Sequence, residues 1–233
     1  MKYFKKLLIS LSIALLPILS FAQTPGTIKF LGVPVDGSKT EVIRQLRGKG
    51  FTYNASDGVL TGKFNGIVSN VLISENYGRV DRIFIADSDT RTAAQIRIRF
   101  NNLIMQFREN EKYVELDENI EISEREDIDY EMLVHNKEYS ASFYLNPVYG
   151  WTDKEKEELA LDTAAELKAR IDAGQFGNVS SEQIGTLLRD AITLKVLGMV
   201  QGQVWFKIAK AHGEYYLCIY YDNLKNRPNG EDL

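Results

Sequence analysis

Few side chains in this sequence are of a type that does chemistry. The two histidines, His135 and His212, both fall where hairpin turns are expected, His135 to Lys137 and His212–Gly213. A metal site would need both, completed by acidic side chains near Asp127, and would require the two hairpins to be neighbours with turns at one end of a sheet. The alternative is a pair of solvated turn residues. Cys218, the single cysteine, lies inside YYLCIYY, where it is expected as a small buried hydrophobe rather than a nucleophile. GxSxG, HExxH and GxxxxGK followed by Ser or Thr do not occur. The nucleophile-elbow, zinc-protease and phosphate-loop classes therefore have no support, and no catalytic or cofactor-binding residue is assigned.

Aromatic side chains offer recognition rather than reaction. If Val204, Phe206, Ile208, Leu217 and Ile219 form the core face of two strands, Trp205, Tyr144, Tyr216 and Tyr220 point to the opposite face. Left open, these rings would bind a protein or a glycan with little entropy loss. The expectation is that a helical hairpin covers most of that face, because its apolar stripes need a partner.

The elements that position these residues follow from periodicity and caps. In FLGVPVDGSKTEVIRQLRGKGF (30–51) a strand end and a tight turn precede a helix opened by Ser38 and Glu41, which have the spacing of a capping box. Val42, Ile43 and Leu46 form its apolar stripe, and Gly48 and Gly50 end it. Short strands are expected from Phe51, at Val59 to Phe64, Ile67 to Ser74 and Val80 to Asp87, separated by turn formers at 54–58, 65–66 and 76–78. A second helix begins near Thr90, with Ile96, Phe100, Leu103, Ile104 and Phe107 on one face and Arg97, Arg99 and Arg108 on a solvated one.

The acidic stretch from Tyr113 to Glu131 lacks the glycine that a calcium loop needs, so it is expected to be surface charge. Within and after it, Ile128 to Val134 alternates like a strand, paired with another at Glu138 to Leu145. Thr152 with Glu155 and Ser180 with Gln183 then open two helices, striped by Ala160, Ala164, Leu167 and Ile171 and by Ile184, Leu187, Leu188, Ala191 and Ile192. Strands resume at Gln203, and the polar end is expected to be a cap or a loose tail.

The expected fold class is therefore α+β: an antiparallel sheet of about eight strands with helices on one face, built from two degenerate helix-plus-meander units. The first unit spans 27–88 and the second 89–221, with the helical hairpin inserted at 151–200 and the tail at 222–233. Residues 1–22 have the basic start, short apolar run and small residues at Ser20 and Ala22 of a cleavable export signal. Without Lys2, Lys5 and Lys6, the 28 basic and 32 acidic side chains leave a mature chain with a formal charge of −7. That balance argues against nucleic acid or an anionic membrane as partner. The expected location is periplasmic or secreted, with no membrane span after signal removal.

The opening FLGVPVDGSK and the closing YYDN with NGEDL resemble an uncharacterised family of exported α+β proteins from gut-dwelling Gram-negative anaerobes, over most of the mature chain. At the level of fold, a capped helix followed by a meander, twice over, is similar to the beta-lactamase-inhibitory-protein fold and to BamE-like outer-membrane-assembly lipoproteins. This chain lacks the disulfides of the former and the lipid-bearing cysteine of the latter, so no functional residue is carried over. The resemblance implies a non-enzymatic binding protein with a protein partner in the envelope. The alternative is a glycan-binding module or a hydrolase acting on envelope or dietary polymers.

Overall fold

The computed structural model describes residues 26–228; the expected export signal lies outside the described residues. The described residues open with a small ribbon, β1 (Lys29–Phe30) and β2 (Val33–Pro34), turned by Leu31 and Gly32 at positive φ. Its Ile28, Phe30, Val33 and Val35 are all buried. Helix α1 (Lys39–Gly48) follows, then strands β3 (Thr52–Asn54), β4 (Val59–Phe64), β5 (Ile67–Asn76) and β6 (Arg79–Asp87). The second unit contains α2 (Ala93–Arg108), β7 (Tyr113–Glu115), α3 (Ile128–Val134), β8 (Ser140–Leu145), α4 (Asp153–Asp172), α5 (Ser181–Gly198), β9 (Gly202–Ala211) and β10 (Glu214–Asn223).

The protein is α+β, with eight of these strands in one sheet of order β3-β4-β5-β6-β10-β9-β8-β7. All neighbours are antiparallel. Each unit is a helix followed by four strands laid down in order, and the last strands of the two units, β6 and β10, pair at the centre. Local chemistry accounts for the hairpins: Asn65–Gly66 and Tyr77–Gly78 all have positive φ, as tight hairpin turns require. One extra residue on β6, at the irregularity opposite Ser74 and Glu75, lets Val80 and Ile83 both face inward although they are three residues apart.

The core lies between the inner sheet face and the helices α1 and α2. Val42 and Leu46 of α1 are buried, and so are all five stripe residues of α2. Phe100 meets Phe206 edge-on at 5.3 Å and Phe107 stacks on Phe143 at 5.0 Å. Burying one such ring contributes about 2–3 kcal/mol.

Several local expectations need correction. Ser38 does accept the Glu41 amide at 3.3 Å, but the Glu41 carboxylate turns to Arg44 and Gln45 instead of reaching back to Ser38. Only Gly50, and not Gly48, takes a positive φ after α1. Residues 128–134 are a helix, not a strand. Asp127 caps it by accepting the Tyr130 amide at 3.0 Å, and alternation at i, i+2, i+4 also contains the i, i+4 pair Ile128 and Met132 that a helix aligns. Strand β8 instead pairs with β7 and β9.

The arginines of α2 are not a freely solvated face. Arg99 is nearly buried against the fully buried carboxylate of Asp87, which also pairs with Arg91 at 2.9 Å. Arg97 donates to the Glu124 carbonyl, and Arg108 pairs with Glu115 and Glu121. Glu115, Glu121 and the Glu124 carbonyl thus hold the segment before α3 to α2.

Residues 222–228 act as a cap rather than a loose tail, and residues 229–233 lie outside the described residues. Asp222 and Asn223 are buried in β10, and Asn223 donates to the Val35 carbonyl at 2.8 Å. Asn226 donates to Asp36 and to the Val80 carbonyl, both at 2.8 Å.

Both capping boxes of the helical hairpin form as expected, at Thr152/Glu155 and Ser180/Gln183. The helices α4 and α5 pack together, with Lys195 paired to Glu166 at 2.8 Å; Leu167 of α4 is buried, whereas no residue of α5 is and Ile184 of its stripe is exposed. The helices in close contact with the sheet are α1 and α2, and Leu72 and Val68 on the outer face are exposed, so that part of the face is open. Among the described residues, no helix is long and apolar enough to cross a membrane.

Candidate functional site

Alternation along β9 and β10 sorts their side chains as the sequence requires. Val204, Phe206, Ile208, Leu217 and Ile219 are buried on the inner face, so Trp205, Tyr216 and Tyr220 stand on the outer one. Tyr144 of β8 shares that face, since its neighbour Phe143 is buried inward. Strand register then builds rows across the sheet. One row runs Leu72, Phe84, Tyr220, Trp205, Ser142 over β5, β6, β10, β9 and β8. The next row runs Ser74, Arg82, Asp222, Gln203, Tyr144. Adjacent members are about 5 Å apart, the strand spacing.

The rings in the first row stand on edge and lean on each other. Trp205 and Tyr220 are stacked with centroids 3.8 Å apart and planes 6° from parallel, and Phe84 sits 4.9 Å from Tyr220 on its other side. Opposite Trp205 on β8 is Ser142, too small to cover the second indole face. Towards the other edge of the sheet the row ends in apolar surface: Leu72 is 42% exposed, and Val68 two positions down the same face of β5 is 40% exposed.

Asp222 anchors this cluster from beneath. Its carboxylate is fully buried and accepts Arg82 Nε at 2.6 Å, Arg82 Nη2 at 3.1 Å and the Trp205 indole N–H at 2.8 Å, with Arg227 as a further donor. The same Arg82 guanidinium lies 5.2 Å from the Tyr220 ring centroid and 5.8 Å from that of Trp205, a cation–π arrangement. The bond to Asp222 holds the Arg82 pKa above its ordinary value. Burial pushes the Cys218 thiol and the Tyr220 phenol upward. These three groups therefore keep at neutral pH the charge state they have in water. Such a cluster can present rings and a fixed cation to a ligand, and it does not offer a proton carrier near neutrality among them.

The expected site residues thus divide. Trp205 and Tyr220 come into contact; Tyr144 and Tyr216 share their face but are outside the stack. His135 is not in a hairpin turn: it ends α3, with Nδ1 2.9 Å from Glu131 Oε2 and its ring edge-on to Tyr130. His212 occupies the β9–β10 turn at positive φ. The residue that does join α3 to that end of the sheet is Asp129, which accepts from Tyr215 and, at 3.2 Å, from Lys210. Asp127 is engaged as the α3 cap. Among the described residues, no three His, Cys, Asp or Glu side chains are grouped to hold a metal ion. Cys218 is free and buried.

Phe84, Arg82 and Asp222 are members of the cluster that the sequence reading did not single out. The alternation of Ile83 and Ile85 already places Arg82 and Phe84 on the outer face. Asp222 carried no such signal, because it was assigned to the tail. Comparison with family models, with curated proteins and with solved structures returns no match.

Proposed function

We propose that the chain is a non-enzymatic, exported binding protein of the cell envelope, which offers the outer face of its sheet to a protein partner. Residues 1–22 as a cleaved signal would place it in the periplasm or outside the cell, and the absence of a cysteine after that run leaves no site for lipid attachment. The observation that carries the reading is the row Leu72, Phe84, Tyr220, Trp205, an apolar and aromatic strip over four strands on the face away from α1 and α2. Its end is open, at Leu72 and Val68. Interface centres favour aromatic residues and arginine in this kind of arrangement, and the buried Asp222 fixes both the arginine and the indole before any partner arrives.

The test is site-specific photo-crosslinking in envelope extract, with a benzophenone side chain at Leu72 or, as a control, at the exposed helix position Glu157. A protein adduct of one mass, formed from position 72 and absent from position 157, is the expected result. Identical adducts from both positions would remove the outer face as the binding surface.

A further inference from the structure

A cleft of about 860 Å³ opens where the edge of the sheet meets the root of the helical hairpin, and nothing in the proposed protein-binding face uses it. We propose that this cleft binds an oligosaccharide of pyranose units. Three aromatic side chains line it: Tyr113 on the edge strand β7, Tyr149 in the loop before α4, and Trp151 at the start of that helix. Pyranose rings present faces of C–H groups that pack on aromatic rings, and hydroxyls that need amide and hydroxyl partners. A volume of this size is within the range of small-ligand sites.

The aromatic residues are held in place before any ligand binds. Tyr113 is fixed edge-on to Phe107 at 5.0 Å. The loop carrying Tyr149 is closed by the Asn146 side chain, which accepts the Val148 amide at 3.2 Å and donates to the Glu111 carbonyl at 3.3 Å. The Trp151 amide bonds the Val148 carbonyl at 3.1 Å. Tyr149 is nevertheless 48% exposed, an aromatic ring facing solvent on a rigid loop.

A polar observation points the same way. Gln201 lines the cleft, and its Oε1 is buried without a hydrogen-bond donor among the described residues. A buried acceptor without a donor costs about 1–3 kcal/mol, and a hydroxyl-bearing ligand would supply the donor once the Gln201 side chain turned outward into the cleft. Lys29, Lys112 and Glu155 also line the cleft; the Glu155 carboxylate accepts the Thr152 amide and hydroxyl at 2.7 and 2.8 Å, and the Lys112 ammonium lies 6.0 Å from the Tyr149 ring centroid.

The test measures binding of the purified protein to cellohexaose, xylohexaose, mannohexaose, maltohexaose and chitohexaose by calorimetry. Trp151 emission is followed in a Trp205→Phe background, which leaves one tryptophan. The expected result is saturable binding of at least one of these sugars at or below about 1 mM with a shift in Trp151 emission. Tyr149→Ala should weaken it about tenfold or more with an unchanged melting temperature, and Gln201→Leu should weaken it as well. Leu72→Glu, on the protein-binding face, should leave sugar affinity as it was, so the two proposals fail separately. No binding by any of the five sugars, or binding indifferent to Tyr149→Ala and Gln201→Leu, overturns the proposal.

Discussion

The Trp205 indole donates its N–H to Asp222 at 2.8 Å across the β9–β10 ladder, although the two residues are not direct partners in its register. The bond runs diagonally, from Trp205 to the neighbour of its own partner Tyr220. It ties the ring stack in one row of the outer face to the ion pairs in the next, so the cluster behaves as one unit.

That unit predicts an uneven response to mutation. Asp222→Ala leaves the Arg82 guanidinium and the indole N–H without their common acceptor, and breaking a buried pair from one side costs about 3 kcal/mol. Arg227→Ala removes a donor that is 36% exposed and should cost no more than about 1 kcal/mol. Urea unfolding of the two variants measures the difference; a cost for Asp222→Ala within about 0.5 kcal/mol of zero would contradict the arrangement.

The β5–β6 turn carries a removable strain. Tyr77 has φ 47° and is 80% exposed, with Gly78 at φ 74° beside it. A left-handed conformation is costly for most residues and cheap for asparagine, and this turn type prefers Asn-Gly. Tyr77→Asn should therefore stabilise the protein by about 0.5–1 kcal/mol, seen as a higher melting temperature in calorimetry. The β4–β5 turn already has that pair at Asn65–Gly66, so Asn65→Tyr should do the reverse, with the added loss of the Asn65 bond to Gln106 at 2.8 Å.

Asp36 gives a pH dependence with a defined sign. Burial on its own raises its pKa, but hydrogen bonds from Asn226, the Gly37 amide and Arg79 outweigh it and hold the carboxyl below its ordinary value of 3.8. A carboxyl with a depressed folded pKa adds stability that is fully present above its unfolded pKa, near 4, and is lost as the pH falls through the folded value. Asp36→Asn should cost about 1 kcal/mol at pH 7, since the group is partly exposed, and the gap to the parent protein should narrow below about pH 4. A gap that stays constant from neutral pH to pH 2.5, measured by urea unfolding at each about-half-unit step, would remove Asp36 as its source.

Much of the architecture was legible because it is written in local periods and caps. Ile96, Phe100, Leu103, Ile104 and Phe107 repeat at helical spacing and are all buried. Trp205 and Tyr220 alternate with apolar neighbours and do point outward, and Thr152 and Ser180 cap the helices that follow them. Such features involve residues within a few positions of one another, so the chain specifies them wherever it sits.

Tertiary packing decided the rest. Residues 128–134 fit a strand or a helix, and the Asp127 cap with Ile128 in the core selected the helix. The helices α4 and α5 could have lain on the sheet, and in the structure they pack on each other. Above all, Arg82, Trp205 and Asp222 meet only because β6, β10 and β9 are neighbours in the sheet. The residues Arg82 and Asp222 are 140 positions apart, and no period along the chain links them. Alternation determines which face a side chain occupies; pairing between strands of different units determines which side chains it meets there.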